Sequence, residues 1–245
     1  MLLAALATFA AAALQSASGF GFALIAGPAL FALLEPEEAV ATVLAMGIAI
    51  NALMLAGERR PREIRRGDLV VPLAAAVPGL VLGTLLLRAL DKEVLQVAVG
   101  LSVIAATVLQ ARPRPLPVRR PDAAGAGLGD AAMGLTVGVL TTSTSVNGPP
   151  LLLWLLARGA SPVEVRDTLA VAFIALNAAG MAAVILAAGT LAVLDAEVLA
   201  LVPLIGAGWL AGRYVFGRLG AERFRALNLA LAGAAGLASL FAGLL

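Results

Sequence analysis

Seven stretches of this chain carry no charged side chain, and most are too long for a soluble fold. Residues 1–34, 39–57, 69–87, 94–111, 131–157, 168–194 and 226–245 contain no Asp, Glu, Lys or Arg. A run of roughly 18 or more such residues reads as a membrane span. An eighth run, 198–212, is shorter, and its flanks can extend it. Backbone in hydrocarbon must satisfy its own hydrogen bonds, so the runs are predicted to be α-helices. A β-barrel would need alternating segments of ~10 residues, and none occur. With 61% hydrophobic and 13% charged residues, the chain also lacks the polar cover of a soluble domain. The apolar start, Met1–Ala13, has no basic residues before it and continues to Leu34. It therefore reads as a first membrane segment and not as a cleaved leader.

There is no Cys and no His. That removes disulfides, thiolate chemistry, haem ligation and most transition-metal sites. No catalytic set, metal site or cofactor is expected. The basic balance is no nucleic-acid signal either: Lys92 is the only Lys, and the Arg residues sit in short loops between apolar runs, where they orient a membrane protein.

The sequence repeats with a period of 126. Pro36, Glu38, Thr42 and Asn51 recur as Pro162, Glu164, Thr168 and Asn177. Upstream, Gln15-Ser16-Ala17-Ser18-Gly19 leads to Gly27-Pro28, as Thr141 to Asn147 leads to Gly148-Pro149. Downstream, Pro72 and Gly79-x3-Gly83 are echoed by Pro203 and Gly208-x3-Gly212. The chain thus divides into a first membrane repeat, 1–111, a Pro/Arg linker, 112–122, and a second membrane repeat, 123–245.

Charge decides between two topologies. If all eight segments cross, positive residues divide almost evenly between the two sides. If segment 123–157 enters and leaves on the same side, fifteen fall inside and two, Arg88 and Lys92, outside. The positive-inside rule prefers the second. The same shape applied to 1–34 gives two repeats, each a re-entrant or broken helical hairpin plus three transmembrane helices. An odd number of crossings inverts one repeat relative to the other and puts both termini outside the cell inner membrane. Inverted repeats with broken helices characterise secondary transporters.

Gly19-Phe20-Gly21-Phe22 before Gly27-Pro28, then Pro36 and Asn51, resembles the first half of the TauE/SafE sulfite exporter family. Asn147-Gly148-Pro149-Pro150, then Arg166, Thr168 and Asn177, resembles its second half. The resemblance covers nearly the whole chain. It implies transport of a sulfur-containing anion such as sulfite, a sulfonate or thiosulfate, with other small anions in some members. One departure is Ser145-Val146-Asn147, where the family pattern leads one to expect more Gly.

An oxyanion cannot enter hydrocarbon unpaired, and no Lys or Arg lies within the apolar runs. Helix N-termini and neutral donors remain. The candidates are Thr142, Ser143, Thr144, Ser145, Asn147, Gly148 and Pro149 at the second hairpin tip, and Gln15, Ser16, Ser18, Gly19, Phe20 and Gly21 at the first. Asn51 and Asn177 lie mid-span and complete the shell. The same hydroxyls can instead bond preceding carbonyls, and the glycines can form a packing seam. Asp130 is the acid whose depth suits a proton carrier, and Arg166 is placed to draw anions from the cytoplasm. The reading is a secondary transporter, exporting a small anion bound between the two tips. Its alternatives are an anion channel and a non-transporting structural subunit of a membrane complex. Its partners are the anion and the lipid bilayer; a proton or other coupling ion and a homo-oligomer stay open.

Overall fold

The computed structural model describes residues 2–111, 126–189, 200–219 and 221–244; the expected linker 112–122 lies outside them. The described residues form ten α-helices and no strand: α1 (Leu2–Ser18), α2 (Phe22–Leu33), α3 (Pro36–Gly57), α4 (Arg66–Ala89), α5 (Lys92–Ala111), α6 (Ala126–Ser143), α7 (Gly148–Ala157), α8 (Pro162–Ala188), α9 (Val202–Leu219) and α10 (Ala221–Leu244). Among them α3, α4, α5 and α8 are long and apolar enough to cross a membrane. The apolar runs 1–34 and 131–157 are each split in two, at 19–21 and at 144–147.

Helix boundaries extend beyond the charge-free runs because helix starts are polar. Helix α8 begins at Pro162 and not at 168: Ser161 accepts from the Glu164 amide, and the Glu164 side chain accepts from the Ser161 amide. This capping box satisfies two amides that no preceding turn can reach. Helix α3 begins with Pro36 in its first turn and Glu37 and Glu38 behind it, where acidic groups favour the helix dipole. Much of the repeated Pro/Glu signature is thus a helix start used twice. Helix α9 runs on past Arg213 to Leu219.

Both broken helices fold back on themselves. Leu3 and Ala7 of α1 line one cavity with Ala29 and Ala32 of α2, so the start of α1 lies near the end of α2. At the second break, Trp154 Nε1 of α7 donates to Asp130 Oδ1 of α6 at 3.3 Å, and Arg158 pairs with the same carboxylate.

The principal packed pairs are α4 with α6, α1 with α9, α5 with α10 and α3 with α8. Glycines set two of these contacts. A Cβ on Gly79 or Gly83 of α4 would run into the carbonyls of Leu135 and Val139 on α6. One on Gly208 or Gly212 of α9 would meet those of Phe9 and Ala13 on α1. Phe9 and Ala13 stand 126 residues before Leu135 and Val139, so the contact repeats with the sequence. Apolar helices in lipid gain little from burial alone, and close backbone approach is what draws them together. Gly83→Ala is therefore expected to destabilise the fold by about 1–3 kcal/mol, as overpacking does. Gly206→Ala, with nothing within 4 Å of the new methyl, is expected to be neutral or stabilising by up to ~1 kcal/mol. Thermal unfolding of the two purified variants checks the contrast.

Ion pairs gather the loops at two ends. At one, Arg60 binds both Asp167 oxygens at 2.8 Å, Arg158 reaches Asp68 at 2.9 Å, and Arg166 reaches Glu58 at 3.2 Å. Residues 58–68 and 158–167 therefore share an end. At the other, Arg88 pairs with Glu37 at 3.2 Å and Lys92 with Glu35 at 3.5 Å, and Arg88 also donates to the Ala187 carbonyl.

Candidate functional site

The two breaks turn by the same device on different residues. After α1, Gly19 (φ +87) and Gly21 (φ +109) reverse the chain into α2; glycine takes such angles without steric cost. A side chain at Gly19 would also press on Arg166. At the second break the residue 126 positions later, Ser145, has φ +61, and it is the non-glycine residue with positive φ among those described. This left-handed conformation costs an L-residue about 1–2 kcal/mol.

Between the breaks lies a cavity of about 30 Å³. The first break contributes Gln15, Gly21, Phe22 and Ala23, and the second Ser145, Val146, Asn147, Gly148 and Pro149. Gly47 and Asn51 of α3 and Phe173 and Asn177 of α8 close its sides. Among the described residues, no charged side chain lines it.

Its amides are held in a fixed network. Gln15 Nε2 donates to Asn51 Oδ1 at 2.9 Å, while Gln15 Oε1 accepts from the Phe22 amide at 2.9 Å. Asn51 Nδ2 donates back one turn to the Gly47 carbonyl at 2.7 Å. Asn147 Nδ2 donates to Thr141 Oγ1 at 2.9 Å and to Asn177 Oδ1 at 3.5 Å. Gly47 is small by necessity, since a methyl there would collide with the Asn177 amide. All four amide side chains are buried, where an unmade hydrogen bond would cost most.

Of the five hydroxyls from Thr141 to Ser145, four are taken. Thr141 donates to the Val137 carbonyl at 2.7 Å, Ser143 to Val139 at 2.7 Å and Thr144 to Leu140 at 3.1 Å. Thr142 crosses to the Leu80 carbonyl at 2.8 Å, as Ser16 crosses to Trp209 at 2.8 Å. Ser145 Oγ is different. It is buried, lines the cavity and has no partner.

The expected residues thus fall into two groups. Gln15, Gly21, Asn51, Ser145, Asn147, Gly148, Pro149 and Asn177 meet at the cavity. Ser16, Ser18, Gly19, Phe20, Thr142, Ser143 and Thr144 do not line it; the hydroxyls among them are spent on backbone carbonyls. Pro149 and Pro150 also leave α7 with fewer free amides at its start than a helix usually offers, and of its first three residues only Gly148 keeps an N–H. Asp130 sits near the start of α6, roughly 20 Å along the helix from the break, paired with Arg158. Arg166 binds the Ser16 carbonyl and Glu58 from outside the cavity. Nearby Arg60, in the loop, is held above its ordinary pKa range, first by its hydrogen bond to Asp167. Gly47 and Phe173 were not anticipated. They stand 126 residues apart and one turn before Asn51 and Asn177, but as unlike residues they left no mark in the repeat.

No curated protein and no solved structure matches the chain. The family model described as Sulfite exporter TauE/SafE matches residues 4–239, which takes in every residue lining the cavity. On that match the chain belongs to the sulfite exporter TauE/SafE family of membrane transport proteins.

Proposed function

We propose that this protein is a secondary carrier that exports a small sulfur oxyanion, sulfite or a sulfonate, across the cell inner membrane. The anion binds between the two helix breaks near the midplane. The observation that carries this reading is Ser145. A buried hydroxyl without a partner, on a residue held at positive φ, faces a cavity walled by amide side chains and, among the described residues, free of charge. A buried polar group left unmatched needs a reason, and an incoming oxyanion supplies one. Neutral donors suit a carrier, because they can hold an anion without retaining it too tightly to release. At about 30 Å³ the cavity has room for little more than a water molecule. The structure thus corresponds to a closed form, and loading requires the two breaks to part.

The two halves are read as inverted repeats with both termini outside. Matching contacts at the 126-residue offset support this, and so does the grouping of loops. In an arrangement where every apolar segment crosses, 58–67 and 158–166 would lie on opposite faces; here Arg60, Arg158 and Arg166 tie them together. A single cysteine in this Cys-free chain, Ser161→Cys, is expected to react with a membrane-impermeant maleimide only from the cytoplasmic side. Reaction from the outside alone would overturn the hairpin topology. Asp130 and Arg166 are each held in an ion pair outside the cavity, which supports action at its inner approach and not in contact with the anion.

The direct test is a panel of labelled sulfite and sulfonates in proteoliposomes, with and without a proton gradient. Saturable flux of at least one, by the purified protein alone, is the expected result. No flux of any of them without a second protein would favour a structural subunit, and rates beyond any alternating cycle would favour a channel.

A further inference from the structure

Behind the second break, on the side away from the anion cavity, lies another space of about 270 Å³. Its walls are Ser102, Ala105 and Ala106 of α5 and Val146, Pro149 and Leu153 of the second break and α7. Val146 and Pro149 line the anion cavity as well, so one layer of side chains separates the two spaces. Small residues on α5 give the space its depth. Its mouth carries Ala105 and Leu109, both exposed. In a membrane-transport protein, exposed apolar helix surface is the boundary with lipid, so the space is continuous with hydrocarbon.

We infer that this groove holds an acyl chain of a bilayer phospholipid, packed against the outer face of the wall formed by Val146 and Pro149. An empty space of this size would forfeit the contacts of its whole lining. Water is a poor occupant, because the lining offers it few polar partners. A methylene chain matches a narrow apolar groove open to hydrocarbon, and its supply is the bilayer itself. A second space, of about 320 Å³, lies beside the first broken helix, between the start of α1, α2 and α10, with Ala235, Ala238 and Ala242 on α10. A parting of the second break that loads the anion moves the wall formed by Val146 and Pro149, and a fluid chain can follow where a side chain could not. Only this last consequence rests on the carrier reading.

The test uses the full-length protein in vesicles of phosphatidylglycerol carrying a diazirine midway along one acyl chain, with labelled residues located by mass spectrometry after illumination. Labelling at Leu153 is expected to exceed that at Val77, an open mid-span position of α4 at 57% exposure, several-fold. Ala105→Phe, which fills the groove, is expected to remove the excess and leave Val77 unchanged. Should that variant fail to fold, Ser102→Leu replaces it, and the comparison of Leu153 with Val77 in the unaltered protein stands without either. Equal labelling at Leu153 and Val77, or an excess that survives filling, would overturn the inference. So would loss of the excess as the protein-to-lipid ratio rises, since a second copy would then be the occupant. No transported substrate enters this measurement, so it succeeds or fails separately from the anion site.

Discussion

Asn147→Leu is expected to raise the KM for sulfite flux by roughly 5- to 150-fold while the protein still inserts and folds. Asn147 Nδ2 bridges Thr141 on its own hairpin and Asn177 on α8, and the residue is only 5% exposed. Leucine is close in size but donates nothing. It leaves Asn177 Oδ1 without its donor beside the cavity, and it removes a donor that the anion can recruit. The hydrogen bond lost to the anion is worth about 1–3 kcal/mol, which gives the stated range. Thr141 keeps its own bond to the Val137 carbonyl, so the helix up to the break is expected to survive. Flux titrations in proteoliposomes, normalised to inserted protein, check this. A wild-type KM would mean that Asn147 serves packing alone.

The second large effect is expected at the end where residues 58–68 and 158–167 meet. Asp167→Ala removes the carboxylate that accepts both Arg60 bonds and the Glu63 amide, all at 2.8 Å. The Asp167 side chain is 2% exposed and that of Arg60 is 33%. A wholly buried pair broken on one side costs ~3–5 kcal/mol. Solvent around Arg60 lowers this, so a loss of about 2 kcal/mol is expected. Residues 58–65 have no helix of their own and depend on Asp167 and Thr168 to hold them to α8. Hydrogen exchange of that loop should therefore quicken sharply, while α4 against α6 keeps its protection. Unchanged exchange in 60–65 would show that other contacts hold the loop.

How much of this could be read from the sequence depends on which signal carried it. Charge-free length, the Arg distribution and the 126-residue period marked the helices and both breaks, and the Gly/Pro-rich motifs marked the family, because each reflects a rule that acts along the chain. Asn51 and Asn177 were legible for the same reason, as amides in apolar runs that must face inward. The hydroxyl cluster was only half legible. From composition, Thr142, Ser143 and Thr144 look like Ser145, yet three-dimensional contacts give each of them a carbonyl and leave Ser145 alone. A Ser/Thr hydroxyl within a helix can fold back to the preceding turn; Ser145 lies past the end of α6, at φ +61, and makes no such bond. The absence of glycine at that position, visible as a departure from the family pattern, was the trace of this strain. Gly47 shows the opposite case. Its reason is a neighbour from the other half, Asn177, which no local pattern encodes.

The central claim is that the anion meets Ser145 in the cavity, and a paired substitution tests it with folding separated from binding. Ser145→Ala and Ser145→Gly both delete the hydroxyl, but only glycine relaxes the φ of +61. The glycine variant should therefore melt above the alanine variant. The measurement is calorimetric titration of sulfite into the purified wild type and both variants. A hydrogen bond to a charged group contributes about 1.5–3 kcal/mol, so both variants are expected to bind roughly 10- to 150-fold more weakly, whatever their melting order. Wild-type affinity in both would contradict binding at this cavity.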